Sequence, residues 1–153
     1  MKKQLGLTLG LISTVTLAAN AQNQPIANSQ PAAFIQVLDL SGKTPLKISG
    51  NKVSLSKKQQ LCWGTLNIKF TGKTRVTETF HSPAATKFTS DKDQSYASND
   101  KKEFVIVSEV MPSKDNSISR CWQLEKKDPI GKYSLDVQIG DINFNGLKFE
   151  VVK

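Results

Sequence analysis

From residue 34 onward, apolar side chains return at every second position, and nowhere do they persist at the 3.6-residue spacing of an amphipathic helix. Residues 61–70 set Cys62, Gly64, Leu66, Ile68 and Phe70 against Trp63, Thr65, Asn67 and Lys69. Residues 133–139 set Tyr133, Leu135, Val137 and Ile139 against polar neighbours. Successive side chains of a strand point to opposite faces, so a period of two marks half-buried strands. In 61–70 it places Cys62 with the core-facing set. Further strands are expected at 34–38, 46–50, 74–80, 104–110 and 118–124, then at 142–144 and 147–151. Thr71-Gly72-Lys73 reads as the turn of a hairpin joining 61–70 to 74–80. Asn145-Gly146 reads as a second hairpin turn, because both central residues of that turn need positive φ. The polar stretch 89–102 reads as a long loop, and the expected class is all-β.

The first 32 residues follow a different pattern. Lys2 and Lys3 precede an apolar stretch at 5–17, and Ala19-Asn20-Ala21 then offers small residues to a signal peptidase. Residues 1–21 are therefore expected to be a signal peptide, 22–32 a flexible leader poor in groups worth burying, and 33–153 the domain. The apolar stretch is shorter than the roughly 20 residues a bilayer span needs, so no stable membrane insertion is expected. The location expected is periplasmic or secreted. Loss of Lys2 and Lys3 lowers the net charge from +8 to +6, leaving a basic protein. Its lysines are spread in pairs, including Lys57-Lys58 and Lys126-Lys127. Spread lysines keep a β-protein soluble and blunt its edges; they also suit an acidic partner, whether protein or cell-envelope polymer. Aromatic residues do not interleave with the lysines as a stacking platform requires, so no nucleic-acid partner is expected.

Compartment bears on the two cysteines, Cys62 and Cys121. In an oxidising location an isolated pair reads as a disulfide. The triplets Leu61-Cys62-Trp63 and Arg120-Cys121-Trp122 echo one another. If the cysteines are joined, Trp63 and Trp122 lie near each other on the far side of their strands. There they form an exposed aromatic pair for a partner, a second layer of core, or a cover over the disulfide. Trp63, Trp122, Lys126 and Lys127 are the candidate contact surface.

Asp128-Pro-Ile-Gly131-Lys-Tyr133-Ser-Leu135 resembles the D-x-x-G-x-Y-x-apolar corner of immunoglobulin-like β-sandwiches. The resemblance implies such a sandwich, with antiparallel sheets. Tyr133 would be the corner tyrosine at the start of strand F, its hydroxyl bonded back to the chain a few residues upstream. Antibody-type domains carry a Cys where Leu135 stands, so a Cys62–Cys121 bridge departs from their pattern.

Groups for catalysis are sparse. His81 is the single histidine, and no serine sits in a Gly-x-Ser-x-Gly elbow. The ligand set of a catalytic zinc is missing, and Asp91-Lys92-Asp93 supplies half a calcium loop without its glycine and later Glu. Glu78 and Glu109 could serve as acid and base, but nothing in their spacing brings them together. No catalytic, cofactor or metal residue is assigned, and the expected function is that of a non-enzymatic exported binding module, for instance an inhibitor or immunity-type protein. Two alternatives are a surface-fibre subunit, whose terminal strand would dock on a neighbour, and a small β-barrel carrying a ligand.

Overall fold

The computed structural model describes residues 30–153. The expected signal peptide and residues 22–29 of the expected leader lie outside the described residues. Ten strands follow: β1 (Ala32–Asp39), β2 (Leu46–Ile48), β3 (Lys52–Ser54), β4 (Gln59–Leu66), β5 (Thr74–His81), β6 (Gln94–Ala97), β7 (Glu103–Val110), β8 (Ser119–Trp122), β9 (Gly131–Ile139) and β10 (Ile142–Val152). They form a four-stranded sheet, β2-β1-β4-β8, and a six-stranded sheet, β3-β10-β9-β5-β7-β6. All ladders are antiparallel except β3–β10, which is parallel. Among the described residues there is no helix.

The alternating residues supply the core. Val37, Leu61 and Trp63 come from the smaller sheet, and Val76, Phe80, Ile106, Leu135, Val137 and Phe149 from the larger. Each is fully buried or nearly so, and burying such a side chain contributes about 1.5–3 kcal/mol. Phe88 enters from the 82–93 loop and stacks on Phe80 with ring centroids 5.0 Å apart, closing the space between the sheets. The chain is thus a filled β-sandwich.

Four local expectations are corrected. First, 61–70 and 74–80 are not arms of one hairpin: β4 and β5 lie in different sheets. Asn67 adopts a left-handed φ of 59°, which ends β4 and sends the chain across the sandwich. Second, that break resets the alternation, so Ile68 and Phe70 do not report the facing of the strand before it. Within β4 the inward set is Leu61, Trp63 and Thr65, and Cys62 lies on the outer face. Third, Asn145-Gly146 is a bulge within one strand. The hairpin turn is Gly140-Asp141, between the paired Ile139 and Ile142. Asn145 and Gly146 together oppose the single residue Asp136, between the pairs Phe144–Val137 and Leu147–Leu135. Gly146 has φ 69°, and its N–H donates to Asp136 Oδ1 at 2.6 Å. The bulge needs positive φ at Gly146 alone and the turn at both residues; Asn-Gly can meet either demand, so the dipeptide alone does not separate them. Fourth, the polar 89–102 stretch contains β6, an edge strand exposed at all four positions.

The disulfide joins Cys62 and Cys121, which stand directly opposite each other in the β4–β8 ladder. Cys62 is buried, while Cys121, on the edge strand β8, is exposed. The bridge closes a loop with a sequence separation of 59. Restricting the unfolded chain over such a loop is worth about 4 kcal/mol on the entropic model. Replacing both cysteines by alanine is expected to lower stability by about that amount. Urea unfolding followed by fluorescence measures it; an unchanged midpoint would show that the bridge adds nothing.

Candidate functional site

Two constellations of polar side chains stand out, one inside the sandwich and one at its end. The inner one centres on Glu78, which β5 directs inward between Val76 and Phe80 and which is fully buried. Its Oε1 accepts hydrogen bonds from two indoles, Trp63 Nε1 at 2.5 Å and Trp122 Nε1 at 2.6 Å. Its Oε2 faces Nε of Arg120 at 3.1 Å without a well-directed hydrogen bond. Arg120 Nη2 reaches Asp93 Oδ2 at 2.7 Å, and Nη1 donates to the Ser108 hydroxyl. The guanidinium also lies over the Trp122 ring, 5.1 Å from its centroid. The smaller sheet thus supplies Trp63, Arg120 and Trp122, and the larger supplies Glu78 and Ser108.

Burial pushes the Glu78 carboxyl above its ordinary range; Arg120 and the two indole N–H groups oppose that shift without cancelling it. Asp93 goes the other way. Burial alone would raise it, but the Ser90 hydroxyl and Arg120 outweigh burial and hold its carboxyl below the ordinary range. A buried ion pair often fails to repay the loss of solvation, whereas stripping one partner leaves the others unpaired at high cost. This constellation is therefore a clamp between sheets: Glu78 at its centre is fully buried, and only its outer members Asp93 and Ser108 border an open hollow.

The outer constellation begins at the corner. Tyr133 Oη donates to the Pro129 carbonyl at 2.7 Å, four residues upstream. Asp128, buried, accepts from the Glu125 backbone N–H at 2.7 Å and the Thr86 hydroxyl at 3.0 Å. Gly131 has φ 140°, and a Cβ there would sit 3.1 Å from the Pro83 ring, so only glycine suits the position. These contacts fix the 125–131 turn. Beside it lies a hollow of about 420 Å³ lined by Leu55, Ser56, Lys126, Asp128, Ile130 and Lys153. An adjoining hollow shares Leu55, Ser56 and Lys126 and adds Lys57, Lys58, Gln123, Leu124 and Glu125.

Comparison with known proteins agrees with this architecture. A family model described as the PM0630 beta sandwich domain matches residues 33–152. The chain belongs to the PM0630 β-sandwich family. A curated relative, "Uncharacterized protein PM0630" of Pasteurella multocida (strain Pm70), is 32% identical over 160 residues, covering all of both chains.

Within this PM0630-family fold the candidate residues separate. Trp63 is fully buried and Trp122 half-buried, both turned onto Glu78, so the exposed aromatic pair is replaced by the second layer of core. Lys126 and Lys127 are exposed, but Lys127 is paired with Glu125 at 2.7 Å. Glu78 and Glu109 lie apart: Glu78 faces the core, and Glu109 is exposed on the other face of its sheet. Asp93 belongs to the Arg120 pair. His81 Nε2 lies 2.9 Å from Asp136 Oδ2 on the outer face of the larger sheet. Among the described residues no three His, Cys, Asp or Glu side chains are gathered as metal ligands. Sequence reasoning missed Arg120 altogether. Its signal was Glu78 itself, a charge sharing the inward parity of Val76 and Phe80 and so requiring a buried cation.

Glu78→Ala leaves two indoles and a guanidinium facing an empty core position, and is expected to cost about 3–5 kcal/mol. Glu78→Gln keeps an acceptor for the indoles and should cost clearly less. Because its folded pKa is raised, Glu78 contributes stability fully below the unfolded value near 4.5, and that contribution is lost as pH rises through the folded pKa. The advantage of wild type over Glu78→Gln is therefore largest in acid and shrinks as pH increases. Urea midpoints across pH test this; an advantage that grows with pH would contradict it. Tyr133→Phe should cost about 1–2 kcal/mol by leaving the Pro129 carbonyl unpaired. A thermal shift indistinguishable from zero would remove the corner from the account.

Proposed function

We propose that this chain is an exported, non-enzymatic binding module that meets an acidic partner through the lysine-bearing end of its sandwich. The carrying observation is the hollow between Leu55 and Ile130, rimmed by Lys126 and Lys153 and continued by Lys57 and Lys58. Rigid scaffolds commonly place recognition on their loops and turns, and here the corner bonds of Tyr133 and Asp128 hold the turn that presents Lys126.

Several features support the accompanying parts of this reading. The oxidised Cys62–Cys121 pair fits a periplasmic or secreted location, as does the signal-like N-terminus. An immunoglobulin-like assignment is favoured by strand order. β5-β9-β10 follow the C-F-G order and β1-β4-β8 the A-B-E order, with Tyr133 near the start of the strand equivalent to F. The disulfide departs from that pattern by joining neighbours within one sheet. Terminal strand β10 is paired with β9 on one side and β3 on the other, which favours a self-contained module over a strand-exchanging fibre subunit. The packed interior favours it over a ligand-carrying barrel.

Protein isolated from its native host should begin at Gln22 and weigh two hydrogens less than its reduced sequence; intact-mass measurement decides both points. Amine-reactive cross-linking in whole cells should yield a discrete adduct through Lys58 or Lys126, lost in high salt and in the Lys57→Glu/Lys153→Glu variant, which keeps both reacting amines. An adduct unaffected by the charge reversal, or no adduct, would contradict the reading.

A further inference from the structure

We infer that the occupant of the lysine-rimmed hollow is an acidic polypeptide segment with one large apolar side chain, seated between Leu55 and Ile130. This inference rests on the binding reading above and makes its partner specific. Three observations carry it.

Charge is the first. Lys57, Lys58, Lys126 and Lys153 form no ion pair among the described residues. Of the described carboxylates, three stand near them, and only Glu125 is met by a cation. Asp128 accepts from Thr86 and the Glu125 backbone, Glu125 pairs with Lys127, and Asp39 accepts from the Ser41 N–H at 2.8 Å. With Lys127 offset by Glu125, the rim still sets Lys57, Lys58, Lys126 and Lys153 against Asp39 and Asp128, a net excess of positive charge that attracts an anionic chain and raises its rate of encounter.

The floor is the second. Leu55 is half-buried, and Ile130 keeps 58% of its surface exposed. Ile130 stands one residue before β9 in the turn that the corner fixes, so it cannot fold back into the core. A purely ionic contact has no use for an apolar floor; an apolar side chain inserted there would be desolvated against both residues.

Size and lining are the third. About 420 Å³, open to solvent, accommodates a large side chain and its backbone. The linings of the two adjoining hollows carry no aromatic ring on which a sugar would stack. A peptide bearing both carboxylates and an apolar anchor matches all three features better than a lipid surface or a polysaccharide.

The test is an NMR titration of the full mature chain with three probes: a capped glutamate peptide with a central leucine, the same peptide with a central alanine, and phosphatidylglycerol vesicles. The leucine peptide should perturb Leu55, Lys126 and Ile130 and bind about tenfold tighter than the alanine peptide. Ile130→Ser should remove that preference while leaving the weaker ionic binding. Equal binding of the two peptides, binding of neither, or preference for the vesicles overturns the acidic-peptide inference. Binding of every probe unchanged by Lys58→Glu/Lys126→Glu overturns the basic-end reading as well. Unchanged thermal unfolding of the variants confirms that the fold is intact in each comparison.

Discussion

A single buried carboxylate organises this sandwich. Glu78 has no solvent to satisfy it, so its two oxygens must be met from the opposite sheet, and three side chains converge to do so. Trp63 and Trp122 aim their indole N–H groups at Oε1, and Arg120 sets its guanidinium against Oε2. Hydrophobic contacts are non-directional and tolerate sliding of one sheet over the other. Hydrogen bonds to a fixed carboxylate do not, so the clamp selects one relative placement of the sheets. Asp93 and Ser108 extend it to β7 and the segment before β6.

The disulfide and the clamp are consequences of the same geometry. Cys62 pairs with Cys121 on the outer face of β4–β8, so their neighbours Trp63, Arg120 and Trp122 must all point inward. β8 is only four residues long and has one ladder partner, β4. The bridge holds this short edge strand covalently, and the clamp holds it from within. The repeated Cys-Trp pair in the sequence is therefore one device: a covalent tie outside and two indole donors inside.

Much of the fold was legible because period two is a direct signature of strands. β5 and β9 lie where the alternation put them, β1 and β7 where apolar runs bounded by turn residues did, and the pairing of the cysteines was read from their number and inferred compartment. What misled was local backbone geometry. One left-handed residue, Asn67, made β4 read one register out and made two sheets look like one hairpin. The Asn145-Gly146 bulge used the same positive φ as a turn. β6 escaped because its four residues are all exposed, and β3 because three residues with a single apolar side chain, Val53, are too few to show a rhythm. The lysine end was half legible: Lys126 and its turn were visible, but Leu55, Lys57, Lys58 and Lys153 join them only through folding. Residues 55–58 and 126–130 are far apart in the chain, and no spacing rule connects them.

The corner links the clamp to the surface. Tyr133 stacks on Phe149 with centroids 5.1 Å apart, while its hydroxyl holds the turn that displays Lys126 and Ile130. A rigid core and a rigid turn leave the basic hollow preformed, so the binding we propose there would carry a low ordering cost. Everything in this account rests on Glu78 holding the two indoles in the native state. Hydrogen exchange at the two indole N–H groups, read by NMR under native conditions, tests it most directly. Both should exchange only through global unfolding, with equal protection free energies matching the stability of the whole domain. Fast exchange at either indole while the backbone of β4 and β5 stays protected would contradict the clamp.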